Sequence, residues 1–259
     1  MWAERLREGG VDVQVLPIFV EDMFLPGLGL RESLLTAEGL LSDLEYDSSR
    51  MTLARDYAGI EAALGDGKIA AVMALEGCDG FGGDPALLRP FYRLGARMVG
   101  LTWERRNEFA DGTGVINPGG LTKAGRQAVS EMVGHKVICD VSHLAEPGFW
   151  DVMELAQTPI IASHSNARSV CDHPRNLTDD QIRAIAETGG VIGLNFFAYY
   201  VHPTEATLEA LLDAWIADCQ AVEEVPRFTA LLVERGYSDA EIALVLGENW
   251  LRVFERMWG

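Results

Sequence analysis

The chain has 259 residues, 48% of them hydrophobic, and a formal net charge of −18 at pH 7. That length suits one α/β domain with a substantial core, and the acidic balance excludes a nucleic-acid-binding role, which needs a basic surface. No apolar run reaches the roughly 18 residues of a membrane span, and the N-terminal MWAERLREGG lacks an apolar signal region, so a soluble cytoplasmic protein is expected.

In chain order, residues 1–9 read as the tail of a helix closed by Gly9-Gly10. VDVQVLPIFV (11–20), β-branched and apolar, predicts the first strand. A Gly/Pro loop covers 21–30, and segments 31–47 and 52–65 carry helical spacing, the second stopped by Gly65-Asp66-Gly67. IAAVMALEG (69–77) predicts a second strand, 84–95 a helix, and MVGLTW (98–103) a third strand. The segment 104–120 is a long loop with four glycines and one proline, a length usually tied to function or mobility. A helix over 122–133 leads to VICDVSH (137–143), a helix over 146–156 and PIIASH (159–164), which read as strand, helix, strand. After a polar loop (168–176), Thr178 is the expected N-cap of a helix, and GVIGLNFF (190–197) is the sixth strand. Residues 204–222 and 228–236 read as helical around a break at 223–227, and Ser238 opens a last amphipathic helix. Strand–helix alternation predicts a parallel sheet with helices outside. No G-x-G-x-x-G follows the first strand, so a barrel is favoured over a doubly wound sheet, as a single domain over 1–259.

Two of the apolar runs end in histidine, at His143 and His164, and a third ends in Glu76. In parallel α/β folds the carboxyl ends of the strands are where ligands and metals bind, and two imidazoles with one carboxylate make a zinc-type donor set. Asp140 reads equally as a partner of these donors or as barrel filling. Asn107, Glu108 and Asp111 belong either to the pocket mouth or, the blander reading, to loop capping. His135, His173 and His202 are expected at the surface, and Trp215, Trp250, Phe254 and Trp258, at helical spacings, in core or interface. Cys78, Cys139, Cys171 and Cys219 form no CxxC pair and are expected as free buried thiols in a reducing compartment.

The stretches ALEG (74–77), GLTWERRNEFADG (100–112), GLTKAGRQAV (120–129), ICDVSH (138–143), IIASHSNARSVCDHPRNLTDDQI (160–182) and GVIGLNFF (190–197) together resemble the membrane (renal) dipeptidase family. The resemblance implies a (β/α)8 TIM-type barrel, two zinc ions and hydrolysis of dipeptides. It makes Glu76 the carboxylate shared between the metals, His143 and His164 ligands of the second metal, and Arg175 the group that binds the dipeptide carboxylate. It also sets Trp103 where some members have a substrate-contacting histidine.

The family's first-strand His-x-Asp pair and last-strand Asp have no counterpart here. A barrel lacking its first and last strands is therefore expected, with one zinc per chain on Glu76, His143 and His164 and with open edges that suggest a homodimer. The missing groups also motivate a second expectation, a non-catalytic remnant of the fold serving as a binding or assembly module. Hydrolysis of another small amide is a third, since one architecture hosts many reactions.

Overall fold

The computed structural model describes residues 2–201 and 225–259. The chain opens with α1 (Trp2–Glu8), β1 (Val13–Ile18), α2 (Gly29–Tyr46), β2 (Met51–Leu53), α3 (Tyr57–Gly65) and β3 (Ile69–Glu76). It continues through α4 (Leu88–Leu94), β4 (Ala96–Gly100), α5 (Lys123–Gly134), β5 (Ile138–Asp140), α6 (Glu146–Leu155) and β6 (Ile160–Ala162). Then come α7 (Asp179–Glu187), β7 (Val191–Ile192), α8 (Val225–Glu234), α9 (Asp239–Ala243) and α10 (Asn249–Trp258). The helix expected over 204–222, with Trp215 and Cys219, lies outside the described residues, as does His202.

All pairings are parallel, and the sheet runs β1-β3-β4-β5-β6-β7. It is a curled half-barrel: among the described residues β1 and β7 are not paired with each other, so a full eight-stranded barrel is not seen. The strand count also departs from expectation. Seven strands are present among the described residues, because Met51–Leu53 leaves the segment read as helix and pairs with Ile69–Ala71 of β3. Only three residues long, β2 shares that edge of β3 with β4, which pairs with Met73–Glu76 higher up.

Alternation along the strands sorts the core into two faces. Met73 and Leu75 of β3, Val99 of β4, Cys139 of β5 and Ile160 of β6 pack against Phe91 of α4, Met132 of α5, Phe149 of α6 and Ile185 of α7. The opposite face presents Ala70, Val72, Ala74, Met98, Ile138 and Ile161, which meet Ile60 of α3 and Val253, Phe254 and Met257 of α10. The last helix is amphipathic for that purpose, since residues 250, 253, 254 and 257 share a stripe while Arg252, Glu255 and Arg256 face out. Arg252 and Arg256 donate to the carbonyls of Gly189, Gly190 and Thr188 that end α7, fixing α10 against the turn into β7. Phe254 is thus buried in the core, and Trp250 and Trp258, partly buried, pack against it.

The edge of β1, unpaired among the described residues, is blunted rather than bare. Asp12 O accepts from Ala70 N, so the even residues of β1 bond to β3 and Val13, Val15 and Pro17 point their backbone groups outward. Pro17 has no N–H to offer, and Gln14 Nε2 donates to the Val15 carbonyl at 2.7 Å. Beside this edge an apolar cavity of about 820 Å³ opens between β1, α8 and α10. No helix among the described residues is long and apolar enough to cross a membrane.

Candidate metal centre

Glu76 closes β3, and the face-alternation that buries Ala70, Val72 and Ala74 sends its carboxylate toward the same interior. The chain then turns sharply at Gly77, whose φ is +93°, and a Cβ there would sit 2.5 Å from Asp79 Oδ2 and 3.3 Å from the Trp103 backbone. His143 lies just beyond β5 in the left-handed region, φ 66°, an uncommon conformation for a side chain of this size. His164 follows β6. Asp140 braces the two strand ends, since its Oδ1 accepts from Ser142 N and from Ser163 N, both at 3.0 Å.

The three donors expected from the sequence come together. His143 Nε2 lies 2.8 Å from His164 Nε2 and 3.2 Å from Glu76 Oε1, and His164 Nε2 lies 3.5 Å from the same oxygen. All three ligand atoms fall within 4.8 Å of one another, and no other such group of donors occurs among the described residues. Ser163 Oγ, 2.7 Å from His164 Nδ1, engages the ring nitrogen on the far side and leaves Nε2 facing inward. Sequence reasoning missed this serine, although its position next to a strand-end histidine was a usable signal.

Electrostatics favour a cation here. Burial opposes charge on Glu76, but the hydrogen bonds and charges of His143 and His164 outweigh it and hold the carboxyl far below the usual range. Burial lowers the His143 pKa to about 4, so near neutral pH the ring is neutral and one of its nitrogens carries a lone pair. Two imidazole nitrogens and an ionised carboxylate oxygen crowded in a partly dry pocket match the ligand chemistry of zinc. His143 Nδ1 is buried and has no hydrogen-bond partner among the described residues, unlike the corresponding nitrogen of His164.

Around the centre, the Trp103 ring lies 5.9 Å from that of His143 and packs edge-on against Phe19 at 5.2 Å. Arg175 is buried. Its guanidinium donates to the His164 carbonyl at 2.9 Å and to Ser165 Oγ at 3.3 Å, while Nε has no partner among the described residues. His173, expected at the surface, is half-buried: its ring packs on Tyr200 at 4.5 Å and its Nδ1 accepts from Arg175 N. Asn107 accepts from Phe109 N and Ala110 N, and Asp111 pairs with Arg106 and accepts from Gly119 N, so both serve as loop caps. Cys78, Cys139 and Cys171 are free and buried.

A curled parallel α/β sheet carrying a histidine–histidine–carboxylate set at its strand ends defines a class of protein with a metal centre at the mouth of the fold. The sequence profile of the membrane dipeptidase family, peptidase family M19, matches residues 2–216, and the chain belongs to that family. It is 32% identical over 249 residues to an uncharacterized protein encoded beside pqqA in Klebsiella pneumoniae, covering 83% of this chain and 92% of that one. It is 30% identical to an uncharacterized dipeptidase of Schizosaccharomyces pombe, covering 97% of this chain and 71% of that protein. That alignment runs over 299 residues, so the yeast protein carries segments that this 259-residue chain lacks. Among solved structures, a Rhodobacter sphaeroides metallopeptidase liganded with a phosphinate mimic of the dipeptide L-Ala-D-Ala superimposes with a TM-score of 0.87 at 27% identity, over 98% of this chain and 89% of that one. A dipeptidase of family M19 does so with a TM-score of 0.89 at 29% identity, over 99% and 89%.

Proposed function

We propose that this chain is a zinc-dependent dipeptidase working with one zinc ion, held by Glu76, His143 and His164. The observation that carries this reading is the convergence of those three donor atoms at strand ends in a member of a dipeptidase family. The bound ion would supply Lewis acidity and lower the pKa of water toward neutrality. The chain's own residues do the rest. Asp140 and Ser163 hold the two histidine-bearing strand ends in register. Arg175, charged, buried and with a free Nε, binds the carboxylate of the dipeptide. Trp103 gives the substrate an apolar wall beside His143 and helps exclude water from the reacting bond.

The test is metal content and turnover on the same preparation. About one zinc per chain and zinc-dependent cleavage of L-Ala-D-Ala are expected, both lost in His143→Ala. About two zinc ions per chain would mean that ligands beyond these three take part. Folded protein that neither carries nor takes up zinc would favour the alternative, a dipeptidase-fold binding module, for which the single donor set among the described residues is the motivating observation.

A further inference from the structure

Arg175 is a buried guanidinium with no carboxylate within ion-pairing distance among the described residues. A buried charge left this way is costly unless its surroundings are arranged for an incoming anion. Its immediate neighbour is Tyr200, whose ring centroid lies 5.6 Å from Arg175 Cζ. Tyr200 is tied down from both ends. Its carbonyl accepts from Asn176 Nδ2 at 2.7 Å and from Asn166 Nδ2 at 3.2 Å, which fastens it to the loop that carries Arg175. Its hydroxyl donates to Glu104 Oε1 at 2.7 Å, which fastens it to the segment after β4. Glu104 is an acidic group in the electrostatic neighbourhood of Arg175, yet it spends its oxygen on the tyrosine. An unrestrained carboxylate there would compete with a substrate carboxylate for the guanidinium.

We infer that Tyr200 is a positioning residue for anion capture: its ring shelves the Arg175 guanidinium, and its hydroxyl holds Glu104 off it. The arrangement keeps Arg175 free for the carboxylate end of a dipeptide, and the inference rests on the dipeptidase reading above. The bridge joins residues 104 and 200 across the mouth of the fold, so it also sets the spacing between the segments after β4 and β7.

The experiment compares L-Ala-D-Ala with its C-terminal amide, which lacks the carboxylate, in the zinc-loaded protein. Tyr200→Phe keeps the shelf and removes the tether. It is expected to raise KM for the free dipeptide roughly tenfold, with kcat within about twofold and the amide unaffected. Adding Glu104→Gln to that variant is expected to restore KM, because the competing charge is gone while a hydrogen-bond acceptor remains. Glu104→Gln alone leaves KM at or below the wild-type value, which reads the sign of the Glu104 contribution without touching Tyr200. An unmoved KM in Tyr200→Phe, an equal rise on the amide, a double variant that stays impaired, or a raised KM in Glu104→Gln alone overturns this assignment and leaves the dipeptidase reading standing. Wild-type protein that neither cleaves the dipeptide nor binds it by calorimetry overturns both.

Discussion

The two ends of the curled sheet are built by opposite rules. At the amino-terminal side α10 lays Val253, Phe254 and Met257 onto Ala70, Val72 and Ile138, an apolar cluster of buried side chains. At the carboxyl side the same strands lead into Glu76, His143 and His164, beside a buried arginine, and among the described residues neither Arg175 Nε nor His143 Nδ1 has a hydrogen-bond partner. One end spends apolar area on stability, and the other leaves polar groups unsatisfied where a ligand can satisfy them. Chemistry and cohesion are therefore separable, and variants at one end should leave the other untouched.

The sharpest way to break that comparison is to remove a ligand. His143→Ala should abolish zinc retention and zinc-dependent cleavage while the thermal unfolding midpoint of the metal-free protein stays within a few degrees of the wild type. Loss of fold on this substitution would show that the donors also carry the structure. Next in size, Phe254→Ala should destabilise the protein by about 3–5 kcal/mol in urea unfolding, since the ring is fully buried under the sheet. Zinc affinity per folded molecule should not change, and a parallel loss of both would join the two ends energetically.

Acid should separate the ends as well. In metal-free protein the folded state holds His143 neutral down to about pH 4, against an ordinary value of 6.5. The unfolded chain takes up that proton first, so stability is present above pH 6.5 and is lost as pH falls toward 4, by up to about 3 kcal/mol. Glu76 adds a further loss below its ordinary 4.5, because its carboxyl is held low in the folded state. Unfolding measured between pH 7 and 4 in wild type and His143→Gln should show the first slope only in the former. The smallest expected effect is at Thr178, which forms a capping box with Gln181 at the start of α7. Thr178→Ala should cost about 1 kcal/mol and leave the metal centre intact.

The candidate centre was legible because each of its three donors ends an apolar run, and strand ends are where parallel α/β folds converge. The Thr178 cap and the stripe of Trp250, Phe254 and Trp258 were legible for the same local reason, that spacing along the chain decides them. What escaped was non-local or too short. Met51–Leu53 is a strand only because Ile69–Ala71 offers it an edge. The Tyr200–Glu104 bond joins residues 96 positions apart, and no periodicity reports it. His173 was expected in solvent because its neighbours are polar, whereas an aromatic 27 positions on gives it a ring to pack against.

The left-handed backbone at His143 has a consequence for how this lineage can change. Glycine adopts that conformation without strain and asparagine with little, so each would relieve a local cost, and either would also remove the ring nitrogen that is without a partner among the described residues. The position therefore lies downhill toward residues that hold zinc poorly or not at all. Substitution to glycine would ease the backbone and remove the imidazole together, so the strain at His143 is carried for its side chain rather than for the fold.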